Sequence, residues 1–357
     1  MKACTKCFVS RTWIANASPL EGRSGTCDFG HGTQEETWPT SAWFDSLSQV
    51  LEVYQLSRAR SSGNPISALI QRDWGIFSFH DEATIRRFIT SSIGESDERL
   101  AEEANVELLS VDNDDGSAAL SDWIRFSEEI RSRNRYFPQT VPDREVLERV
   151  LMDHVRVLDV KTELFRARSV ESGIRPSPQN MGAPPARKAI GGRANPPGIP
   201  YLYLAFSEAT CIYESRAGKH SRLAIGHFKL NRELRVLDLA SIKPPDFFDV
   251  EDISITEQQV RRISSHRYLA ALGEELRKPI RVSDQVTDYI PTQYLCELAK
   301  SLGLDGLLYS SSQHDDGRNV VFFDIGAATC NDNIKVVEVV DIEAEWETIE
   351  TDNFALP

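Results

Sequence analysis

No stretch of the 357-residue chain approaches the ~18 consecutive apolar residues that a membrane helix needs. The N-terminus, MKACTKCFVSRTW, has no apolar core of a secretory signal, so the expected compartment is the cytoplasm. Positive charge is also short: 40 Lys and Arg face 54 Asp and Glu, for a net charge of −14. A general nucleic-acid binder is thereby excluded, because phosphate contacts demand a basic surface. Cysteine is limited to positions 4, 7, 27, 211, 296 and 330. Without a secretory signal these read as reduced thiols or metal ligands rather than a disulfide framework. The Gly-x-Gly-x-x-Gly turn of enzymes that recycle a dinucleotide does not occur.

The chain does contain the material for about two folded domains, with 41% hydrophobic and 26% charged residues. Its charge is unevenly spread. Between Lys161 and Arg235 thirteen Lys and Arg stand against five Asp and Glu, a basic island in an acidic protein. Such an island suits a compact anionic ligand better than a polymer.

Within the first forty residues Cys4 and Cys7 form a Cys-x2-Cys knuckle, and Cys27 follows in Cys-Asp-Phe-Gly-His. Thiolates and imidazole are the ligands zinc prefers, so Cys4, Cys7, Cys27 and His31 are a candidate Cys3His structural site. Residues 41–160 read as mostly helical. Trp43, Leu47, Val50, Leu51 and Tyr54 recur at helical spacing, and helices are expected over 118–135 and 143–159, with a loop over 110–116 between elements. Arg149 and His154 have the R-x4-H spacing of the RNA-cutting HEPN nucleases. Val150 stands where that motif favours a polar residue, and His154 falls on the apolar stripe, which reads as a core histidine.

From Leu164 the texture changes. Residues 172–200 hold seven of the seventeen prolines and five of the twenty glycines, the composition of a long loop. Strand-like runs at 201–206, 224–230, 236–239, 306–312 and 319–323 then alternate with helical patterns at 208–216, 257–276 and 292–302. The expected fold class is α+β. The acidic end, 337–350, opens as a β-prone run and closes in a charged tail.

In the strand after the loop, the period-2 rule sends Leu202, Leu204 and Phe206 to a core face and Tyr201, Tyr203 and Ala205 to the other, beside the loop that carries Arg193. Ser207 is placed to cap the next helix, with Glu208 in its first turn. On that helix Glu214 has only the small Cys211 and Thr210 behind it, so its face can approach another element closely. Further on, the runs at 306–312 and 317–323 flank a Gln-His-Asp-Asp-Gly turn, with Tyr309 and Ser311 on one face.

Together these pieces resemble the RES domain family, named for Arg, Glu and Ser. The resemblance rests on Leu164-Phe165-Arg166-Ala167-Arg168, Gly192-Arg193-Ala194-Asn195 with Gly198, Tyr201–Ala205, Thr210 through Glu214, Thr292-Gln293, Asp305 through Ser311 and Arg318 through Phe322, in the family's order over about residues 161–346. The N-terminal half is similar to the zinc-knuckle and helical extension before some RES domains. There the second metal pair is usually Cys-x2-Cys, whereas here Gly30 takes the last position and His31 follows. Four segments are expected: a zinc-knuckle-like segment (1–40), a helical domain (41–160), the RES catalytic domain (161–346) and an acidic tail (347–357).

The resemblance implies an ADP-ribosyltransferase-like α+β fold with NAD+ as substrate, consumed by cleavage of the nicotinamide–ribose bond with water or phosphate as acceptor. It also implies a toxin or defence effector with an antitoxin or regulatory protein as partner, homo-oligomerisation being left open. By motif position the catalytic set is Glu214, Arg193, Tyr203 and Ser311, with Ser310 and Ser312 as neighbouring registers. The NAD+-binding set is Arg166, Arg193, Tyr203 and Asn319. A carboxylate can stabilise an oxocarbenium-like ribose, and forked guanidinium donors suit a pyrophosphate. A protein ADP-ribosyltransferase and a non-catalytic zinc-bearing adaptor are the competing expectations.

Overall fold

The structure, a computed structural model, describes residues 1–16, 22–57, 64–111, 115–170, 176–249, 256–278 and 286–341. It divides into two compact units, Met1–Val150 with Ile242–Leu272 and Leu151–Ser241 with Gly273–Pro357. Residues 242–272 thus group with the N-terminal part and not with the segment expected to be catalytic. The acidic tail lies outside the described residues.

In the first unit β1 (Lys2–Cys4), β2 (Arg23–Gly25) and β3 (Glu35–Pro39) form an antiparallel sheet of order β1-β3-β2, and α1 (Thr12–Ala15) is a single turn between the first two. Next come α2 (Phe44–Leu51), α3 (Ile66–Trp74) and α4 (Glu82–Ile93), with β4 (Tyr54–Leu56) pairing antiparallel to β5 (Val106–Leu108). The helices α5 (Asp115–Ser132) and α6 (Arg144–Met152) follow. Phe8, Trp13, Trp43, Phe77 and Phe88 pack ring against ring at the centre of this core.

The second unit is built on a nine-stranded sheet. Its strands are β6 (Val155–Leu158), β7 (Glu163–Ser169), β8 (Leu202–Ala205), β9 (Arg222–Leu230), β10 (Leu234–Asp238), β11 (Gly306–Ser310), β12 (Arg318–Phe322), β13 (Ala328–Cys330) and β14 (Lys335–Glu338). Their order is β13-β9-β7-β8-β12-β11-β10-β6, with β14 also on β9. Only β10 and β11 pair in parallel. The helices are α7 (Pro178–Met181), α8 (Glu208–Glu214), α9 (Thr256–Arg277), whose residues up to Leu272 group with the first unit, and α10 (Ile290–Ser301). No helix among the described residues is long and apolar enough to cross a membrane.

The α+β expectation holds, but the helix read over 143–159 does not. It stops at Met152, and β6 takes over, because Val155 and Val157 pair with Leu237 and Arg235 of β10. A pairing partner outweighs local helical pattern in so short a segment. His154 therefore sits past the end of α6, half-buried, its carbonyl accepting from the amide of Asp238. The R-x4-H pair does not lie on one helix.

One feature of the sheet positions the site. β7 and β9 pair over seven residues, yet β7 and β8 pair at a single position, Phe165 with Ala205. The two strands splay apart, and the gap opens where Arg166 and Tyr203 lie.

Candidate active site and cysteine cluster

Two faces of the strand β8 behave as its alternation predicts. Leu202 and Leu204 enter the main core of the sheet, and Ala205 packs with Cys211 and Ile225 on the opposite side. Ser207 caps α8, its hydroxyl accepting from the amide of Thr210 at 3.0 Å. Thr210 and Cys211 are buried, so α8 lies close to the sheet and presents Glu214 at its C-terminal end.

There the register of the central strands matters. Asn319 on β12 faces Ala205 on one side and Tyr309 on the other. Its amide donates to Oε1 of Glu214 at 2.7 Å, and the hydroxyl of Ser311 donates to the same oxygen at 2.7 Å. Ser311 is itself aimed by the turn that follows, since its Oγ accepts from the amides of Gln313 and His314 at 3.1 and 3.2 Å. His314 meets Thr210 of α8 through Nδ1 at 2.9 Å and stacks on Tyr213. Ser310 and Ser312 face elsewhere, Ser310 toward the carbonyl of Ala240 and Ser312 toward Arg193. Among the described residues no hydrogen bond engages Oε2 of Glu214.

The loop before β8 is held just as firmly. Tyr203 donates its hydroxyl to Oδ1 of Asn195 at 2.7 Å and accepts from the amide of Ala194 at 3.2 Å. A Cβ on Gly192 would come within 2.8 Å of that Asn195 oxygen and 3.0 Å of the Tyr203 oxygen, so the close approach requires glycine. Gln293 on α10 donates to the carbonyls of Gly192 and Asn195, and Thr292 donates to that of Arg193. Arg193 is buried, with Nη1 donating to the carbonyl of Leu276 at 2.9 Å and Nη2 to the hydroxyl of Ser312 at 3.0 Å. Its Nε has no hydrogen-bond partner among the described residues.

Two adjoining cavities open at this place. One, about 230 Å³, is lined by residues of β7, β8 and α8 with Tyr309 and Asn319; the other, about 400 Å³, by Lys188, Arg193, Asn195 and their neighbours. Arg166, Tyr203, Glu214 and Tyr309 line both. Arg166 is the unusual member, because its buried Nη1 has no hydrogen-bond partner among the described residues. Burial, reinforced by the charge of Arg168, lowers its guanidinium to about 10, which still leaves it charged at neutral pH. Burial also holds the Tyr203 and Tyr309 phenols well above their usual range, so both stay neutral. A carboxylate with one oxygen and a cation with one buried donor, both without a hydrogen-bond partner among the described residues, thus line a shared space. The arrangement can receive a molecule that is anionic at one point and develops positive charge at another.

The RES domain matches residues 163–346, just over half of the chain. The chain belongs to the RES domain family. A similar solved structure is the crystal structure of the M. tuberculosis MbcT-MbcA toxin-antitoxin complex, 15% identical, covering 54% of this chain and 91% of that chain at a TM-score of 0.32. No curated protein matches the chain. Within the RES domain, Glu214, Ser311 and Asn319 come together as one hydrogen-bonded group, with Tyr203 and Arg166 beside it. Arg193 lies at the margin, its Nη1 and Nη2 donating to Leu276 and Ser312. Thr292 and Gln293 brace the loop, and the contact of His314 with Thr210 is one that no local sequence pattern announces.

Far from these residues in sequence, Cys4, Cys7, Cys27 and His31 also converge, their four donor atoms all within 4.8 Å of one another. The three sulfurs stand 3.5, 3.4 and 3.6 Å from Nδ1 of His31, and Cys7 and Cys27 are 3.6 Å apart. A tetrahedral zinc with sulfur at ~2.3 Å and nitrogen at ~2.05 Å would set these edges near ~3.6 and ~3.8 Å. The donor set therefore fits a four-coordinate zinc, and His31 completes it where Gly30 has nothing to offer. Burial pushes the Cys4 and Cys7 thiols up, so a central dication is what would keep them as thiolates.

Proposed function

We propose that this chain is an NAD+-consuming enzyme that breaks the nicotinamide–ribose bond, with Glu214 as the electrostatic catalyst. The observation that carries the reading is that Glu214 and Arg166 line the same two cavities: a carboxylate fixed through Oε1 by Ser311 and Asn319, and a guanidinium whose buried Nη1 has no hydrogen-bond partner among the described residues. Nicotinamide leaves with the glycosidic electron pair and becomes neutral, so no acid needs to protonate it. The ribose left behind is oxocarbenium-like, and a carboxylate held on two hydrogen bonds is preorganised to stabilise it. Arg166 offers the pyrophosphate a forked donor whose Nη1 has no hydrogen-bond partner among the described residues. Tyr203 and Asn319 act by position, Tyr203 fixing the loop through Asn195 and Asn319 orienting the carboxylate.

Water or phosphate then attacks the ribose carbon and gives up a proton to solvent, making the protein a glycohydrolase or phosphorylase. The reading extends to a toxin or defence effector restrained by a partner protein, in keeping with the family, and to structural zinc at Cys4, Cys7, Cys27 and His31. Purified protein incubated with labelled NAD+ tests it. Free ADP-ribose, or its phosphorylated form when phosphate is added, is the expected product. Label retained on protein would make the chain a protein ADP-ribosyltransferase, and undiminished NAD+ would leave a non-catalytic adaptor.

A further inference from the structure

A serine hydroxyl has one proton to give and room to accept two. The Oγ of Ser311 accepts from the amides of Gln313 and His314, so both acceptor positions are filled and its proton goes to Oε1 of Glu214 at 2.7 Å. The direction of this hydroxyl is therefore set by the backbone of the turn between β11 and β12. That turn is tightly specified. The amide of Ser311 donates to the carbonyl of Gly317 at 2.7 Å, and the amide of Gly317 to the carbonyl of His314 at 3.0 Å. Asp316 holds a left-handed backbone at φ 57°, a conformation that Asp tolerates better than most residues. A Cβ on Gly317 would come within 2.8 Å of the His314 carbonyl oxygen and 3.0 Å of its Nδ1, so this position requires glycine.

Among the described residues, the turn reaches α8 through two hydrogen bonds, Ser311 to Glu214 and His314 with Thr210. The imidazole of His314 also stacks on Tyr213, ring centres 4.8 Å apart and planes 9° from parallel. Thr210 is a firm anchor. It is buried, and its hydroxyl lies 2.8 Å from that of Ser207, the cap of the same helix. Thr210 and Glu214 stand one helical turn apart and share a face. A closed circuit results, from Glu214 to Ser311, along the turn to His314, and back to α8 at Thr210. Without the imidazole, Ser311 would be the turn's one hydrogen bond to the helix among the described residues, and the amides behind its hydroxyl would be held less firmly.

We propose that His314 is a positioning residue: anchored on Thr210 and Tyr213, it fixes the turn whose amides aim the Ser311 hydroxyl at Glu214. The proposal rests on the reading of Glu214 as catalyst, but one arm of its test needs no turnover. His314→Phe keeps a ring to stack on Tyr213 and loses Nδ1. His314→Asn keeps a hydrogen-bonding group near the place of Nδ1 and loses the ring. Hydrogen exchange at the amides of residues 313 and 314 and the kinetics of NAD+ loss are measured in the full chain. In His314→Phe exchange should speed up about tenfold and kcat fall about tenfold, the loss of roughly one hydrogen bond, with KM within about twofold of wild type. His314→Asn should recover most of both. Thr210→Val removes the other end of the same bond, so adding it to His314→Phe should change little further. Unchanged exchange in His314→Phe overturns the proposal. So does faster exchange with unchanged kcat, which would leave His314 holding the turn alone. If the wild-type protein leaves NAD+ intact, the enzyme reading fails by itself and exchange decides: acceleration in His314→Phe that His314→Asn reverses upholds the hold on Ser311, and no acceleration overturns it.

Discussion

The cysteine cluster and the Glu214 pocket both gather polar side chains on buried backbone, and they differ in what is left over. In the cluster three sulfurs and one nitrogen lie within 4.8 Å of one another, and a cation among them would use all of them. In the pocket one carboxylate oxygen is tied, while the other and a buried guanidinium donor have no hydrogen-bond partner among the described residues. A structural metal site is closed, whereas a site that receives and releases a molecule keeps a position open. A complete donor set holds the chain together; an incomplete one waits for a ligand.

The sharpest way to break this comparison is to open the closed site. Purified protein should contain one zinc, and Cys7→Ser should lose it. Structural zinc is worth roughly 10–16 kcal/mol in small zinc-dependent folds, so residues 1–40 should lose hydrogen-exchange protection. The RES domain has a core of its own and should still consume NAD+ to some degree. Metal-free protein with a protected N-terminus would remove zinc from the account.

The open site should respond in rate and not in fold. Glu214→Gln keeps the size of the side chain but removes its charge, and losing one such stabilising group typically costs about 10²–10³ in turnover. The thermal midpoint should barely move, because Gln keeps an oxygen for Ser311 and Asn319 and Oε2 has no hydrogen-bond partner among the described residues. Near-normal NAD+ loss from a folded Glu214→Gln protein would exclude the carboxylate from the mechanism.

How much of this was legible before the fold was known depends on the kind of feature. Glu214, Ser311 and Tyr203 are implied by the resemblance to the RES family, the cysteine cluster is suggested by residue type and spacing, and strand alternation puts Leu202 and Leu204 in the core. Spacing is silent on where a long side chain ends. Arg193 reads as a pyrophosphate ligand by type, yet its guanidinium reaches the carbonyl of Leu276, 83 residues away, which no local pattern announces. The three-residue strands β1 and β2 are too short to show alternation, and β6 continues a helical pattern until its pairing with β10 is seen. The splay between β7 and β8, which creates the pocket, is a property of pairing and leaves no mark on either strand's sequence.

The two arginines sharpen the comparison on a smaller scale. Arg193 is tied in and should behave as part of the fold. Arg193→Ala leaves the Leu276 carbonyl and the Ser312 hydroxyl without their charged donor, a loss of about 1.5–3 kcal/mol. Chemical denaturation should find that decrease, and turnover should fall as the loop loses its anchor. If stability is unchanged and only substrate affinity drops, Arg193 acts on the ligand as its residue type first implied.

Arg166 should do the opposite. Its guanidinium is charged in the folded and unfolded states at neutral pH, but burial and Arg168 lower it to about 10 in the fold. The folded state therefore binds its proton less tightly, and this destabilises the protein at every pH well below 10. Only as pH rises past 10 does the folded form shed the proton while the unfolded form keeps it, so stability would recover there. Replacing the group with an apolar side chain of similar length removes the penalty. Arg166→Met should thus gain roughly 1–3 kcal/mol of stability without ligand, constant between pH 5 and 9, while its KM for NAD+ rises about tenfold. A bound dinucleotide supplies the missing anion, so NAD+ should raise the thermal midpoint of the wild-type protein more than that of the variant. A variant less stable than wild type, with unchanged affinity, would make Arg166 another tied-in residue and leave the open site without its cation.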